Sequence, residues 1–406
     1  MKIKVLHIVG GSYSNGAFIG SKILHDALIN NQVESKILGS AFDNKKIKNT
    51  NNINIKLINR NFLSYNLNYL FVGIEKLFKS IFLHSPRETF NVCFFGSDIT
   101  KFKEYNDADI IHIHWLNQGF INLKSLSKIN KPVVWTMRDM WAFSGGPHYS
   151  MDFKNYENTL LSKYLKIYKK KNYNNNFNFV AVSKWLQKEA QQSSVLKNFN
   201  ILQIDNNINT DDFKFIDKLV ARKDLNITTK KHIICYGAQN PQSKRKGWDI
   251  FVKTLNKLDK SRFFLLIFGN FWSHKTLDEI GIDYKNIGYV TNKQTLSKIY
   301  SSTDSFIATS LQDAWPKTFA EAMICKTPVV CFGNTSISEI VEHKKNGYVV
   351  NRVNENELKD GIEWVSSQIK KNNSLGENAY KKILNYDADI IAKKYISLYK
   401  KILNIK

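Results

Sequence analysis

The chain is short of acids. Its 406 residues carry 59 lysines and arginines against 35 aspartates and glutamates, a formal net charge of +24. That imbalance points to anionic partners, and nucleic acid, anionic lipid headgroups and sugar nucleotides all qualify. Cysteine is also scarce. Cys93, Cys235, Cys325 and Cys331 form no CxxC pair, so neither a zinc site nor a disulfide framework is indicated; three of the four lie in or beside apolar runs, as buried reduced thiols do. No run approaches about 18 uninterrupted apolar residues, so no membrane-spanning helix is expected. The opening MKIKVLHIVGG lacks the long apolar stretch of a signal peptide, and a cytoplasmic location is expected. Neither GxxxxGK[ST] nor GxGxxG occurs, which removes a Walker loop and a dinucleotide fingerprint. RNP, helix-turn-helix and zinc-finger patterns are missing as well, and the lysines are spread along the chain. A non-enzymatic nucleic-acid-binding protein would explain the charge but lacks those marks.

What is present is a rhythm, and it runs twice. Short apolar runs at 4–9 (KVLHIV), 109–116 (DIIHIHWL), 132–137 (PVVWTM) and 178–183 (NFVAVS) alternate with helical patterns in the first half, including one from about Gly20 to Ile29. The second half restarts with 232–236 (HIICY), 263–268 (FFLLIF), 305–309 (SFIAT) and 328–332 (PVVCF), separated by helical segments such as 247–258 and 319–325. Runs apolar throughout suit strands covered on both faces. The fold class expected is α/β, with two doubly wound Rossmann-like domains. The polar, turn-rich stretch 205–213 (DNNINTDDF) reads as the linker. Ligands of such sheets bind beyond the carboxyl ends of the strands, and in two domains those ends can face each other across a cleft.

Three loops at strand ends carry residues suited to chemistry. Gly10 and Gly11 close the first strand, with Gly16 and Gly20 before the helix; they allow a phosphate or sugar to approach the backbone, or they form an ordinary tight turn. Lys244, Arg245 and Lys246 leave the first strand of the second half just before a helix, where three cations can hold a diphosphate or form a solvated basic turn. In LQDAWPKTFAEAM, residues 311–323, Pro316 stiffens the turn. The N–H groups around Lys317, Thr318 and Phe319 then form a helix start that favours an anion. Acids beside an anion site make sense as acceptors for hydroxyls. Glu321, taken to lie in the first turn, suits a ribose diol or merely complements the helix dipole; Asp313 suits a hydroxyl of a second sugar.

These residues resemble the retaining glycosyltransferases of family 4, which have the GT-B fold. The E-x7-E signature of that family stands here as Asp313-x7-Glu321, followed by Ala322-Met323; its lysine–glycine pair stands as Lys246-Gly247, and 341–350 (VEHKKNGYVV) is similar to a further family motif. Residues 114–146, completed by His148-Tyr149, resemble a bacterial polysaccharide- and lipopolysaccharide-assembly branch. The resemblance implies an N-terminal acceptor domain at 1–207, joined by a returning helix at 387–406, and a donor domain at 208–386. It implies that Glu321 binds the donor ribose, that Asp313 meets the transferred sugar, that Lys246 and Arg245 neutralise the diphosphate, and that Gly11 meets the donor phosphates. It implies no essential metal and no cofactor. Asp107-Ala-Asp109 and Asp387-Ala-Asp389 have the look of a DxD metal motif in the wrong context. The chain departs from the family pattern in four places. Asp313 is one methylene shorter than the family glutamate. Ala238 stands where the family has arginine, with Lys244 or Arg245 as the substitute. Arg138-Asp139 stands where the branch has His-Asp, which shifts the sugar-contacting role to Arg138 or His148. Glu339 is left as the acid of an altered motif around 334–338.

The implied reaction moves a hexose or N-acetylhexosamine from a nucleotide diphosphate sugar, with a UDP-sugar preferred, to a growing cell-surface glycan or lipid-linked acceptor. Double displacement needs a nucleophilic carboxylate about 5 Å from an acid, and no such pair is evident in the sequence; the resemblance implies reaction on one face, with the leaving diphosphate itself taking the acceptor proton. A nucleotide-sugar epimerase of similar fold is the alternative enzyme. Two segments with helical apolar stripes and lysines, 67–84 and 158–171, either rest on an anionic membrane surface at the inner face of the cytoplasmic membrane or pack on the N-terminal sheet. His112 and His114 share a strand face and read as core or cleft-lining histidines. A last amphipathic pattern at 387–403 aligns Ile391, Tyr395, Leu398, Tyr399 and Ile402.

Overall fold

The apolar runs form strands, and their order fixes where a ligand can sit. The structure, a computed structural model, describes residues 2–12, 15–40, 54–57, 62–82, 89–153, 156–273, 275–371 and 374–405. The chain divides into two units, one of residues 1–207 with 388–406 and the other of 208–387.

The first unit is built on β1 (Lys4–Val9), β2 (Glu34–Gly39), β3 (Ile55–Leu57), β4 (Ile110–Trp115), β5 (Val133–Met137), β6 (Phe177–Ala181) and β7 (Ile201–Gln203), in the order β3-β2-β1-β4-β5-β6-β7. Every pairing is parallel. The winding reverses between β1 and β4, so the loops after these two strands diverge and leave a crevice at their carboxyl ends. Gly10 and Gly11 follow β1, and Asn117 follows β4. The helix Gly16–Asn30 begins earlier than the sequence pattern suggests, because the Asn15 side chain caps it by accepting from Ala17 N at 3.0 Å.

The helix Ala388–Ile402 belongs to this unit. It packs Ile391, Tyr395, Leu398 and Tyr399 against Leu24, Leu28, Val5 and Ile110, with Ile402 partly buried beside them. Each large side chain so buried contributes roughly 1.5–3 kcal/mol. This is the stripe read from residues 387–403, and it docks on the N-terminal sheet as the fold class requires.

Two other helices follow their stripes inward only in part. Among the described side chains of Phe62–Phe82 the buried ones are Asn68 and Glu75; Phe71, Ile74 and Phe78 are half-buried, and Leu67, Leu70 and Leu77 are exposed. In Leu160–Asn172, Leu165 is buried but Leu160, Tyr164 and Ile167 are exposed. Residues 83 and 84 of the first stripe lie outside the described residues.

The second unit holds β8 (His232–Gly237), β9 (Phe263–Phe268), β10 (Tyr284–Asn286), β11 (Ser305–Ala308), β12 (Val329–Phe332) and β13 (Gly347–Val350), again all parallel, in the order β10-β9-β8-β11-β12-β13. Its switch point lies between β8 and β11. The loops that leave there are the basic turn around 244–246 and the stretch 309–316. All four cysteines are buried and free, and no helix among the described residues is long and apolar enough to cross a membrane.

Candidate active site

The second unit gathers its predicted residues at the switch point. Lys244–Lys246 form one turn of 3-10 helix that hands over to the helix Trp248–Lys257 through Gly247, whose φ of 72° is left-handed. A Cβ on Gly247 would stand 2.2 Å from the carbonyl oxygen of Thr309, so only glycine lets the two loops close on each other. They are then stitched together. Thr309 Oγ1 donates to Lys246 O at 2.7 Å, the Tyr236 hydroxyl donates to the same carbonyl at 3.2 Å, and Leu311 N donates to Arg245 O at 2.7 Å.

This stitching brings Asp313 against the cations. Its Oδ2 accepts from Lys246 Nζ at 2.5 Å and from Arg245 Nη1 at 3.0 Å, and its Oδ1 accepts from Trp315 N at 3.2 Å. Burial alone would raise the Asp313 carboxyl, but Lys246 and Arg245 hold it below the ordinary carboxylate value. Lys244 points into solvent. Pro316 precedes the helix Lys317–Ile324, and no side chain caps that N-terminus. Lys317 and Thr318 are half-buried there, and the Phe319 ring is fully buried, 5.3 Å from that of Trp315.

Glu321 is not in the first turn, which holds no acid. It lies one turn further in, because the helix begins at Lys317 rather than at Phe319. A complement to the helix dipole acts from the first turn, so that account of Glu321 is weakened. Its Oε2 accepts from the Tyr300 hydroxyl at 2.7 Å. Burial raises the Glu321 carboxyl, while the Tyr300 hydrogen bond and the charges of Lys317 and Lys293 pull the other way. Glu339 sits half-buried in the short 3-10 turn Ile337–Glu339 after β12.

Gly11, Arg138 and His148 lie in the first unit, around the carboxyl ends of β1, β4 and β5. Gly11 has φ 90°, its N–H donates to Ser40 Oγ at 3.2 Å, and a Cβ there would meet the Trp115 ring at 2.9 Å. That ring lies 5.8 Å from the imidazole of His148. His148 Nδ1 faces Asp139 Oδ2 at 2.6 Å, and Nε2 faces Asn117 Nδ2 at 2.8 Å and Asn91 Oδ1 at 2.9 Å. Both ring nitrogens are therefore engaged within the loops. Glu75 supports the Asn91 segment, accepting from Val92 N and Cys93 N at 2.7 Å each.

Arg138 donates from Nη1 to Asn206 Oδ1, and its Nη2 lies 3.5 Å from His114 Nδ1. Burial lowers its guanidinium to about 10. Gly20 makes room for it, since a Cβ there would stand 2.4 Å from Nη1.

The histidines behind Arg138 form a buried stack. His7 Nδ1 meets His114 Nε2 at 2.8 Å, and the rings of His112 and His114 are 4.1 Å apart. His112 bonds the Tyr399 hydroxyl at 2.6 Å and Thr136 Oγ1 at 2.7 Å, and Thr136 bonds the Tyr395 hydroxyl at 2.7 Å. Among the described residues this trio alone brings three metal-capable side chains together, with ligand atoms within 4.8 Å of one another. A cation there would meet Arg138 and break bonds already made, so the chemistry of the cluster suits a core network better than a metal centre.

Several of these partners carry no signal in the sequence. Tyr300, Asn91, Asn206 and Glu75 stand in no motif, and each reaches its partner from a distant segment; Asn117 lies within the 114–146 stretch, but nothing there marks it as the partner of His148.

Comparison with known proteins agrees with this architecture. Residues 217–382 match the family described as glycosyl transferases group 1. An uncharacterized glycosyltransferase of Methanocaldococcus jannaschii is 24% identical over 399 residues, covering 95% of this chain and 94% of that protein. The N,N'-diacetylbacillosaminyl-diphospho-undecaprenol alpha-1,3-N-acetylgalactosaminyltransferase of Campylobacter jejuni is 23% identical over 216 residues, 46% of this chain and 55% of that one. The crystal structure of Anabaena HepE in complex with UDP-glucose superposes with a TM-score of 0.67 at 15% identity, covering 98% of this chain and 100% of that one. The fold is therefore GT-B, and with the group 1 match over residues 217–382 it supports a glycosyltransferase.

Proposed function

We propose that the chain is a retaining, metal-independent glycosyltransferase of family 4 type that moves a hexose or N-acetylhexosamine from a nucleotide diphosphate sugar, a UDP-sugar first, to a cell-surface glycan or lipid-linked acceptor. The observation that carries the reading is the convergence of Arg245, Lys246 and the uncapped N-terminus of helix Lys317–Ile324 at one switch point, with Glu321 one turn behind. Two cations and a helix N-terminus suit a diphosphate. Their charge would stabilise the leaving group as it departs, which is where the barrier lies. Glu321 would accept from the ribose diol. Arg138 or His148 would contact the transferred sugar, and Gly11 the donor phosphates. The UDP preference draws on the UDP-glucose bound by HepE, and the lipid-linked acceptor on the Campylobacter relative.

A panel of UDP- and GDP-sugars with lipid-linked and oligosaccharide acceptors tests it. Transfer that persists in EDTA and gives a product with the donor's anomeric configuration is expected. Conversion of the donor sugar with no acceptor present would indicate the epimerase instead.

A further inference from the structure

Lys169 is fully buried, and among the described residues no other lysine is. Its neighbours on the helix Leu160–Asn172 behave as lysines usually do. Lys163, Lys170 and Lys171 are exposed, and Lys166 pairs with Glu157 of the preceding turn. Burying an ammonium is costly unless its protons find good acceptors, so its partners say what it is for.

Those partners are carbonyls of one loop. Lys169 Nζ donates to Trp141 O and, at 2.9 Å, to Ser144 O, and it lies 3.7 Å from the centre of the Trp141 ring. Two phenols complete the set. The Tyr173 hydroxyl donates to Ala142 O at 2.7 Å, and the Tyr156 hydroxyl donates to Gly145 O at 2.8 Å. Four carbonyls between 141 and 145 are thus bonded by side chains of the helix and its flanks, as buried carbonyls require. The loop lies directly on the helix, since a Cβ on Gly145 would stand 2.0 Å from Ser162 Oγ. An apolar residue at 169 would leave two of those carbonyls without their donor.

The same loop holds the polar groups at the end of β5. Trp141 N donates to Asp139 Oδ1 at 2.8 Å, and Met140 N donates to His148 O at 3.0 Å. Trp141 Nε1 donates to Asn91 O at 2.9 Å, and the Asn91 side chain meets His148 Nε2. Trp141, gripped by Lys169 through backbone and ring, is therefore bonded to Asp139 directly and to His148 through Asn91.

We propose that Lys169 is a positioning residue: from inside the first unit it clamps the loop 140–145, and so fixes Asp139 and His148 against each other at the carboxyl ends of β4 and β5. The clamp itself stands apart from the proposed transfer reaction; only its use in catalysis rests on that reading.

The hold depends on charge. Burial lowers the Lys169 ammonium to about 7. Cys93 from the segment before β4, Asp139 from the loop and Glu157 from the turn before the helix oppose that shift, and Lys166 adds to it. Below that pH the ammonium makes charge-assisted bonds. Above it the neutral amine makes bonds about half as strong.

Hydrogen exchange followed by mass spectrometry reads the clamp without substrate. In Lys169→Met, protection in peptides covering 139–148 should fall about fivefold or more at pH 6.5, the factor that a lost hydrogen bond carries. Protection in β1 and in β8 to β12 should not change, and Lys163→Met should match wild type throughout. In wild type, protection of 139–148, corrected for the intrinsic pH dependence of exchange, should decline from pH 6 to pH 8. A folded Lys169→Met with unchanged exchange in 139–148 would overturn the proposal. So would loosening spread evenly over β1, β4 and the loop, because Lys169 would then merely support the unit. Should the variant not fold, the wild-type series decides, and flat protection from pH 6 to pH 8 would count against the clamp. In the kinetic arm, Lys169→Met should lower kcat for transfer roughly tenfold to a hundredfold, the cost of a small misplacement, with UDP affinity nearly unchanged because Arg245 and Lys246 lie in the second unit. Wild type without transfer would sink the proposed reaction and leave the exchange result standing.

Discussion

Asp313 has both oxygens engaged before any donor arrives: one takes two cations, the other a backbone N–H. A diphosphate that needs Lys246 and Arg245 must share them with this carboxylate. Asp313→Asn should therefore tighten binding of free UDP by roughly 1.5–2 kcal/mol, the lower part of the range for charged hydrogen bonds, while slowing transfer if Asp313 also holds the sugar. Calorimetry with UDP and steady-state kinetics give the two answers; weaker UDP binding would mean that Asp313 organises the cations rather than competing for the ligand. Because its folded pKa is depressed, ionised Asp313 contributes stability above the ordinary value of 3.8, lost as pH falls through the folded one. Glu321 has the opposite sign. Burial raises its pKa above 4.5, so the native state holds its proton more firmly than the unfolded chain, and stability declines as pH rises through that interval. Glu321→Gln removes this penalty and keeps an acceptor for Tyr300. It should leave the melting temperature unchanged or higher at pH 7 and weaken donor binding by roughly 1.5–3 kcal/mol. A lower melting temperature with unchanged donor affinity would make Glu321 a structural residue.

Among elements, the basic turn depends on Gly247. Gly247→Ala puts a Cβ both at positive φ and against the Thr309 carbonyl, a cost of at least about 1–3 kcal/mol. Gly288 also has positive φ, 78°, but nothing within 4 Å of its would-be Cβ. Thermal unfolding should show Gly247→Ala losing more than Gly288→Ala, and only the first should also lower kcat/KM. The returning helix makes a comparable point. Tyr399→Phe removes the hydroxyl that His112 bonds, leaving a buried ring nitrogen without its partner at a cost of about 1–3 kcal/mol, which urea unfolding can measure.

How much of this was legible beforehand follows from length and reach. β1, β4, β5, β8 and β9 stand in the sequence as runs of apolar residues because both their faces are covered. Strands β3 (IKL) and β10 (YKN) are three residues long and polar in part, too short for any period to show, and sit at the sheet edges. The basic turn and the Asp313–Glu321 spacing were visible as motifs. Their contacts were not: Lys246 meets Asp313 across 67 positions, and Tyr300 meets Glu321 only because two helices pack. The stripe of Phe62–Phe82 was visible too, but a stripe does not say how deep each member lies: Phe71, Ile74 and Phe78 are half-buried, Leu67, Leu70 and Leu77 are exposed, and Asn68 and Glu75 lie deeper than any of them.

For the whole molecule, the histidines divide the units. His7, His112 and His114 are held well below the ordinary value of 6.5 by burial, with Arg138 adding to the effect, and His25 is lowered to about 4. These rings take up protons in the unfolded chain at a pH where the native state refuses them, so the stability they allow is full above pH 6.5 and falls as pH drops below it. The first unit should therefore loosen first on acidification. Hydrogen exchange followed by mass spectrometry from pH 7 to 5 would show this, as earlier loss of protection in β1, β4 and helix Ala388–Ile402 than in β8 to β12; simultaneous loss would place the acid-sensitive groups elsewhere. That same helix has a further consequence, in time rather than energy. Its partners Leu24 and Ile110 leave the ribosome early, but the residues that cover them come only after the whole of 208–387. At typical elongation speeds that is a wait of roughly 10–40 s, during which the nascent first unit shows an uncovered apolar face to the cell, so its safe arrival depends on translation rate and on whatever chaperone shields that face until the last helix emerges.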